Sequence, residues 1–342
     1  GGKTQIIECV QSDFQKAYME DLAKRADNVR NVDPSVDNML KITSDGRKIS
    51  YSQRMIDPSL PYEENGKIYK CCENVLKVYK ESNATKGTQM IFCDMATPKG
   101  KSDVKTESDT GEFSSMDTES VRLYDDMKAL LVQMGIPKNE IAFIHDAKND
   151  KQKSALSKKM NEGTIRVLIG STGKMGVGLN AQVKAVAIHH LDAPWRPGDI
   201  EQRDGRVFRQ KNENAEAYRF IYVTKGSFDS RLWDILDRKQ KFINQIMNGE
   251  DIGNEVEDTG EVTLSAAEVK AVASNSPLII EQVKLEKEIS KLESLYKTHN
   301  ANVLRAKEKI VEDERKITAT TTNVENVRED IKQRKDTYSS DQ

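Results

Sequence analysis

Short apolar strands alternating with helical segments predict a doubly wound α/β domain on a parallel sheet. Three observations carry that fold class. Thr88–Cys93, Ile141–Ile144, Ile165–Ile169, Ala185–His189 and Ala217–Val223 are apolar runs of strand length. The segments between them place apolar residues at helical spacing. The Ile165 run empties into a glycine-rich loop, Gly173 to Gly178, and the next run ends at Leu191-Asp192 before a short arginine-bearing helix. Such loops set backbone N–H groups and cations along one edge of a parallel sheet.

The elements follow in order. Gly1-Gly2-Lys3-Thr4 has the ending of a phosphate-binding loop without its earlier glycine or preceding strand, so it reads as a decoy. Gln5–Val10 alternates like a strand. Ser12 and Gln15 form a capping box, and Phe14, Tyr18, Leu22 and Val29 mark an amphipathic helix to about Arg30. After Asp33-Pro34 a second helix is expected around Val36–Ile42. The piece from Asp45 to Lys67 is basic and turn-rich; Arg47, Lys48 and Arg54 suit phosphate contacts and a solvated charged face equally. A helix near Ile68–Tyr79 precedes the Thr88 strand. Residues 97–118 have almost nothing to bury and are expected to be a mobile surface insertion. Glu119–Met134 has a broad apolar helical face, and a helix through Leu156 and Met160 leads into the Ile165 strand.

Past the last strand, Lys225–Met247 repeats Phe228, Leu232, Ile235, Leu236, Phe242 and Ile246 at helical spacing, a core-packing pattern. Residues 251–264 are acidic and lack periodicity, as a linker does. Ser276-Pro277 supplies an N-cap and an N1 proline. Ile289, Tyr296, Val303, Ile310, Ile317, Val324, Ile331 and Tyr338 then recur every seven residues, a long helix with one seam. The companion series is mixed: Leu292, Ala306 and Val327 are apolar, whereas His299, Asp313, Thr320 and Arg334 are not. Residues 265–342 are therefore expected to be a coiled-coil-like arm that needs a partner, in a natural polypeptide that continues.

Composition narrows the function classes. The 342 residues carry 53 Lys and Arg against 55 Asp and Glu, a formal net charge of −2, so any nucleic-acid contact must come from a local patch. Cys9, Cys71, Cys72 and Cys93 include no CxxC and no histidine spaced as a zinc ligand, which predicts free thiols and no metal site. No run of eighteen apolar residues and no signal-peptide pattern is present, so the expectation is a cytoplasmic protein without a membrane partner.

The functional signal concentrates in Asp199–Gln210, DIEQRDGRVFRQ. Gln202, Arg206 and Arg209 fall at i, i+4 and i+7, one face of a helix. Asp199 as cap, with Gln202 reaching back, would start that helix after Pro197-Gly198. Two guanidiniums there offer planar forks for phosphate oxygens. A salt-bridged surface helix is the other reading these residues allow.

Order and spacing here resemble motifs V and VI of the second RecA-like lobe of superfamily II helicases, in the Swi/Snf-like branch. Ser171-Thr172 through Gly178-Leu179-Asn180 resembles that branch's "ST…GGxGLN". Asp192, Trp195, Pro197, Gln202, Gly205, Arg206 and Arg209 resemble "DxxWNPxxxxQxxGRxxR". At Arg209-Gln210-Lys211 the chain departs from remodelling enzymes, which carry a small residue and glycine before a glutamine. The words DNMLKITSDGRK, MIFCDMATP and QRDGRVFRQ resemble a narrower group, large phage- and plasmid-type proteins joining an adenine-specific DNA methyltransferase to a Swi/Snf-like helicase. No NPPY- or DPPY-like tetrapeptide is present, so methylation would belong to a neighbouring domain.

The resemblance implies an architecture and a site. Residues 1–64 would be an interlobe segment and residues 65–250 the RecA-like lobe. Arg206 and Arg209, oriented by Gln202, would act in catalysis as arginine fingers. Gly176, Gly178, Asn180 and Gly205 would shape the ATP side, and Ser171, Thr172, Lys174 and His145 would hold the DNA backbone. ATP and Mg2+ would be held mainly by a first lobe bearing Walker A and B, which is absent here, so the isolated chain is expected to be inactive. DNA, that first lobe and a methyltransferase domain are the implied partners. Two other classes stay open on the residues: a scaffolding or nucleic-acid-binding module relying on the arm, and a self-contained enzyme using the Gly173–Gly178 loop as a cofactor cradle. The loop's G-x-x-G-x-G spacing is reversed relative to the dinucleotide fingerprint.

Overall fold

The computed structural model describes residues 2–95, 123–176, 178–248, 266–274 and 277–340. The expected insertion at 97–118, the acidic linker at 251–264 and the cap at Ser276 lie outside the described residues. The chain divides into two units, 1–280 and 281–342.

In the first unit, six strands form one parallel sheet: β1 (Gly2–Cys9), β2 (Thr88–Phe92), β3 (Ile141–Phe143), β4 (Val167–Gly170), β5 (Ala185–His190) and β6 (Ala217–Thr224). Their order is β1-β6-β5-β2-β4-β3. From β2 the chain runs outward to β3, returns through β4, then crosses β2 to lay down β5 and β6. This reversal is the doubly wound, RecA-like arrangement expected from the sequence.

The central strands are buried on both faces, which explains their continuous apolar runs. Alternate residues serve different layers. Ile91, Cys93, Val167 and Ile169 join a cluster with Cys71, Cys72 and Val75 of α3 (Lys67–Glu81) and Leu123, Met127 and Leu131 of α4 (Leu123–Gln133). Met90, Phe92, Leu168 and Ile188 join Leu156 and Met160 of α5 (Asp150–Glu162).

A third cluster is helical. Helix α1 (Asp13–Asn28) starts at the expected capping box: Gln15 N–H donates to Ser12 Oγ at 3.1 Å and Ser12 N–H to Gln15 Oε1 at 2.9 Å. Helix α2 spans Met39–Tyr51 rather than 36–42, because Asn38 Oδ1 caps it by accepting from Lys41 N–H at 2.9 Å. It also runs through Asp45–Ser50, which the sequence suggested was turn. Gly46 survives inside this helix because a Cβ there would lie 2.4 Å from the Phe228 ring. Met19, Leu22, Ala26, Ile42, Ile49, Phe228 and Val269 are the buried members that knit α1 and α2 to α8 (Phe228–Asn248) and α9 (Ala266–Ser274). In α8 Phe228, Leu232 and Leu236 are buried as expected, while the side chains of Phe242 and Ile246 lie outside the described set.

Two expected boundaries move. The sheet does not begin after residue 64: β1 pairs with β6 from Gly2↔Ala217 to Cys9↔Thr224, and Cys9 is buried in the core. Nor does the arm begin at 265, since Val269 of α9 is buried against α1 and α2. The second unit consists of most of α10 (Pro277–Ser340), 64 residues long. Along it Ile289, Tyr296, Val303, Ile310, Ile317, Val324 and Ile331 are all 38–68% exposed; the side chain of Tyr338 lies outside the described set. No described helix is long and apolar enough to cross a membrane.

Candidate functional site

The carboxyl ends of β2, β4 and β5 meet at one edge of the sheet and present Asp94, Ser171-Thr172 and Asp192 there. Helix α7 (Pro197–Asp204) adds Arg203, whose side chain is fully buried. Arg203 Nη2 donates to Asp94 Oδ2 at 2.7 Å and to Asp192 Oδ1 at 2.8 Å; Nη1 donates to Asp192 O at 2.9 Å, and Nε to Thr172 Oγ1 at 2.8 Å. Thr172 in turn gives its N–H to Asp94 Oδ1 at 2.6 Å and its hydroxyl to Asp94 Oδ2 at 2.7 Å. Asp94 N–H donates to Asp192 Oδ2 at 2.7 Å. A buried guanidinium is tolerable when its donors meet acceptors in this way.

Electrostatics follow the geometry. Burial opposes ionisation of Asp192, yet the Arg203 charge, with hydrogen bonds to the carboxylate, holds it below the ordinary carboxylate range. Burial likewise opposes the charge on Arg203, and Asp192 and Asp94 outweigh it, raising its pKa. His190 is buried and its pKa depressed by that burial. Its Nδ1 lies 3.5 Å from Arg203 Nη1 and its Nε2 3.1 Å from Asp204 Oδ1. Arginine only donates, so Nδ1 accepts and the single ring proton sits on Nε2, toward Asp204.

The motif helix is shorter than its spacing suggested. Pro197 occupies its first turn and Arg196 is the N-cap without a side-chain bond, so Asp199 lies inside the first turn and does not cap it. The helix ends at Asp204, whose carboxylate receives Arg219 Nε at 3.1 Å, with Gly205 as C-cap. Arg206 and Arg209 therefore sit beyond the helix, and the three polar residues do not form one helical face. The fold brings them together otherwise, around residues 176–180. Arg206 Nη1 donates to Leu179 O at 3.0 Å and its Nη2 to Gly176 O; Arg209 Nη1 donates to Asn180 Oδ1 at 3.1 Å. A Cβ at Gly176 would lie 2.5 Å from Thr172 O and 3.1 Å from Gln202 Oε1, so only glycine fits that approach. Gly178 has φ +75°, the left-handed region that favours glycine.

The partners of Arg206 and Arg209 are neutral. Among the described residues neither forms an ion pair with a carboxylate. Burial first, and the neighbouring Arg209 charge second, lower the pKa of Arg206, as expected of like charges held without a counter-ion. Arg206 Nε is buried without a hydrogen-bond partner.

The other expected contacts divide. Lys174, in the four-residue α6 (Thr172–Met175), is exposed, and Ser171 Oγ lies 3.5 Å from His145 Nε2. His145 stands edge-on to Tyr124 with centroids 5.5 Å apart. Thr172, expected on DNA, has its hydroxyl committed between Asp94 and Arg203. Lys48 pairs with Asp45 at 3.6 Å and Arg54 with Asp126 at 3.8 Å, both largely buried. Arg47 lies over the Trp195 ring at 4.2 Å. Asp94 and Arg203 were not singled out from sequence. One signal was present: Asp94 falls just past an apolar strand, in the word MIFCDMATP.

Residues 104–211 match the helicase conserved C-terminal domain family, a stretch that includes β3, β4, β5 and α7. Over 119 residues, 33% of this chain, it is 33% identical to "Defense against restriction protein B" of Escherichia phage P1, of which the match spans 5%. Among solved structures it is similar to a Sulfolobus solfataricus SWI2/SNF2 ATPase core in complex with dsDNA, at 12% identity and TM-score 0.45, covering 73% of this chain and 47% of that one. It is also similar to the C-terminal part of the Fun30 ATPase domain, at 14% identity and TM-score 0.47, covering 83% and 98%.

Proposed function

We propose that this chain is the second lobe of a two-lobe, DNA-dependent ATPase of the Swi/Snf-like helicase class. The observation that carries the reading is the pair Arg206–Arg209: two guanidiniums bonded to neutral acceptors, lacking a carboxylate partner among the described residues, and in a region matching helicase C-terminal domains. An uncancelled cationic pair fits the phosphates of a nucleotide. On the resemblance to this class, Mg2+ is assigned to the first lobe.

When bound, ATP supplies the phosphoryl group that water accepts. Arg206 and Arg209 would stabilise charge developing on it, and Gln202 would orient that face. Gly176, Gly178, Asn180 and Gly205 would let the backbone approach. Ser171, Lys174 and His145 would hold DNA phosphates, contacts that position without reading sequence; Thr172, whose N–H and hydroxyl both go to Asp94, would fix the shape of that edge. A methyltransferase neighbour in the full-length polypeptide belongs to the proposal on the sequence resemblance. The phage relative's name, defence against restriction, is in keeping with a protein acting on DNA.

The test is Arg206→Ala in the full-length protein. Loss of an arginine finger should lower DNA-stimulated ATP turnover by about 10³–10⁵-fold with DNA affinity nearly unchanged. Preserved turnover would sink the assignment. A scaffolding module is the second reading, favoured by the exposed apolar seam of α10; it expects no DNA-stimulated turnover and loss of function on deleting residues 281–342.

A further inference from the structure

The geometry points to Asp94 and Arg203 as positioning residues that couple the DNA-facing strand end to the arginine turn, a role that rests on the ATPase reading above. Asp94, Thr172 and Arg203 close a ring. Thr172 hydroxyl donates to Asp94 at 2.7 Å and accepts from Arg203 Nε at 2.8 Å, while Arg203 Nη2 reaches Asp94 at 2.7 Å. Two routes lead from this ring to Arg206. Through the glycine loop, Gly176 N–H donates to Thr172 O at 2.6 Å, and Gly176 O accepts from Arg206. Through helix α7, Arg203 stands three residues before Arg206, whose N–H donates to Arg203 O at 3.0 Å. Thr172 directly follows Ser171, and Lys174 comes two residues later, so a displacement of that segment acts on the arginine turn from both sides.

The charge count shows why Asp94 is more than a counter-ion. Asp192 pairs with Arg203 at 2.8 Å and is 3% exposed, whereas Asp94, paired at 2.7 Å, is 32% exposed. Arg203 would remain neutralised without Asp94, and a second carboxylate leaves one surplus negative charge in the ring. Desolvating a carboxylate that the arginine does not require gives little stability. What Asp94 adds is a second tie beside the direct Arg203–Thr172 bond, fixing the Thr172 N–H and hydroxyl against Arg203 Nη2.

Asp94→Asn in the full-length protein is the test, because Asp192 keeps Arg203 paired and the fold intact. Misplacing a catalytic group by a fraction of an ångström should lower kcat for ATP at saturating DNA by about tenfold to hundredfold. The KM for ATP and the half-saturating DNA concentration should stay within about threefold, and the melting temperature should move by less than about 4 °C. In the 342-residue chain alone, amide exchange over residues 172–180 should accelerate. An unchanged kcat, or a fall in kcat accompanied by a large loss of melting temperature, overturns the coupling role. If wild-type protein shows no DNA-stimulated turnover, the ATPase reading fails; unchanged amide exchange overturns the ring independently of it.

Discussion

Arg203 and Arg206 stand three residues apart and meet opposite surroundings. Arg203 is fully buried and spends its donors on two carboxylates, a backbone carbonyl and a hydroxyl. Arg206 is half-buried, bonds two backbone carbonyls, and keeps a charge that nothing acidic among the described residues cancels. The first arrangement is what an arginine needs in order to be structural, since a desolvated cation must be matched by anions. The second leaves a cation available to an incoming anion. Residue type does not separate these two roles; the charge of the partners does.

The contrast can be broken at several points, the largest being the Arg206→Ala loss of turnover described above. Next is Arg203→Ala, which strands Asp94 and Asp192 without their cation. It should cost about 3–5 kcal/mol in urea unfolding, and Arg203→Lys should not restore it because an ammonium lacks the planar fork. A cost below that of an exposed ion pair would show that the cluster is not the anchor of α7. Smaller is Gly176→Ala, where the new Cβ meets Thr172 O, a backbone atom at 2.5 Å that cannot swing away. Overpacking of this kind should cost about 1–3 kcal/mol, read in the same unfolding experiment.

A further test uses pH and the buried histidines beneath the site. His189 lies between Tyr222 hydroxyl at 2.9 Å and Gln89 Oε1 at 3.0 Å, and burial lowers its pKa from 6.5 to about 3. Below about pH 6.5 the unfolded chain takes up a proton that the folded chain refuses. Stability should therefore fall as pH drops from 6.5 toward 3, with a slope approaching about 1.4 kcal/mol per pH unit for this residue. His190, also depressed, adds in the same direction. The His189 ring resonances should show no titration between about pH 5 and 8; an inflection near 6.5 would mean that the ring is not held neutral.

Much of the sheet was legible because a parallel sheet covered on both sides needs uninterrupted apolar strands. The Ser12–Gln15 box was legible because both capping partners lie within one turn. Helix α2 was misplaced because its start depends on Asn38 and its continuation on a glycine facing Phe228, 182 positions away in sequence. Of the candidate site, the spacing of Gln202, Arg206 and Arg209 grouped residues that the fold also brings together, for a different geometric reason. It predicted one helical face, whereas the residues converge across a turn onto residues 176–180.

Sequence alone determined the strand runs, the class of fold and the stretch where cations gather, because periodicity and residue type are local properties. Only the tertiary structure decided which arginine is matched by carboxylates and which is bonded to neutral acceptors. Asp94 and Arg203 are separated by 109 positions, and the pairing of a buried cation is set by which strand ends the sheet order brings together. Coulomb energy depends on distance in space and on local dielectric, and neither can be read along a chain.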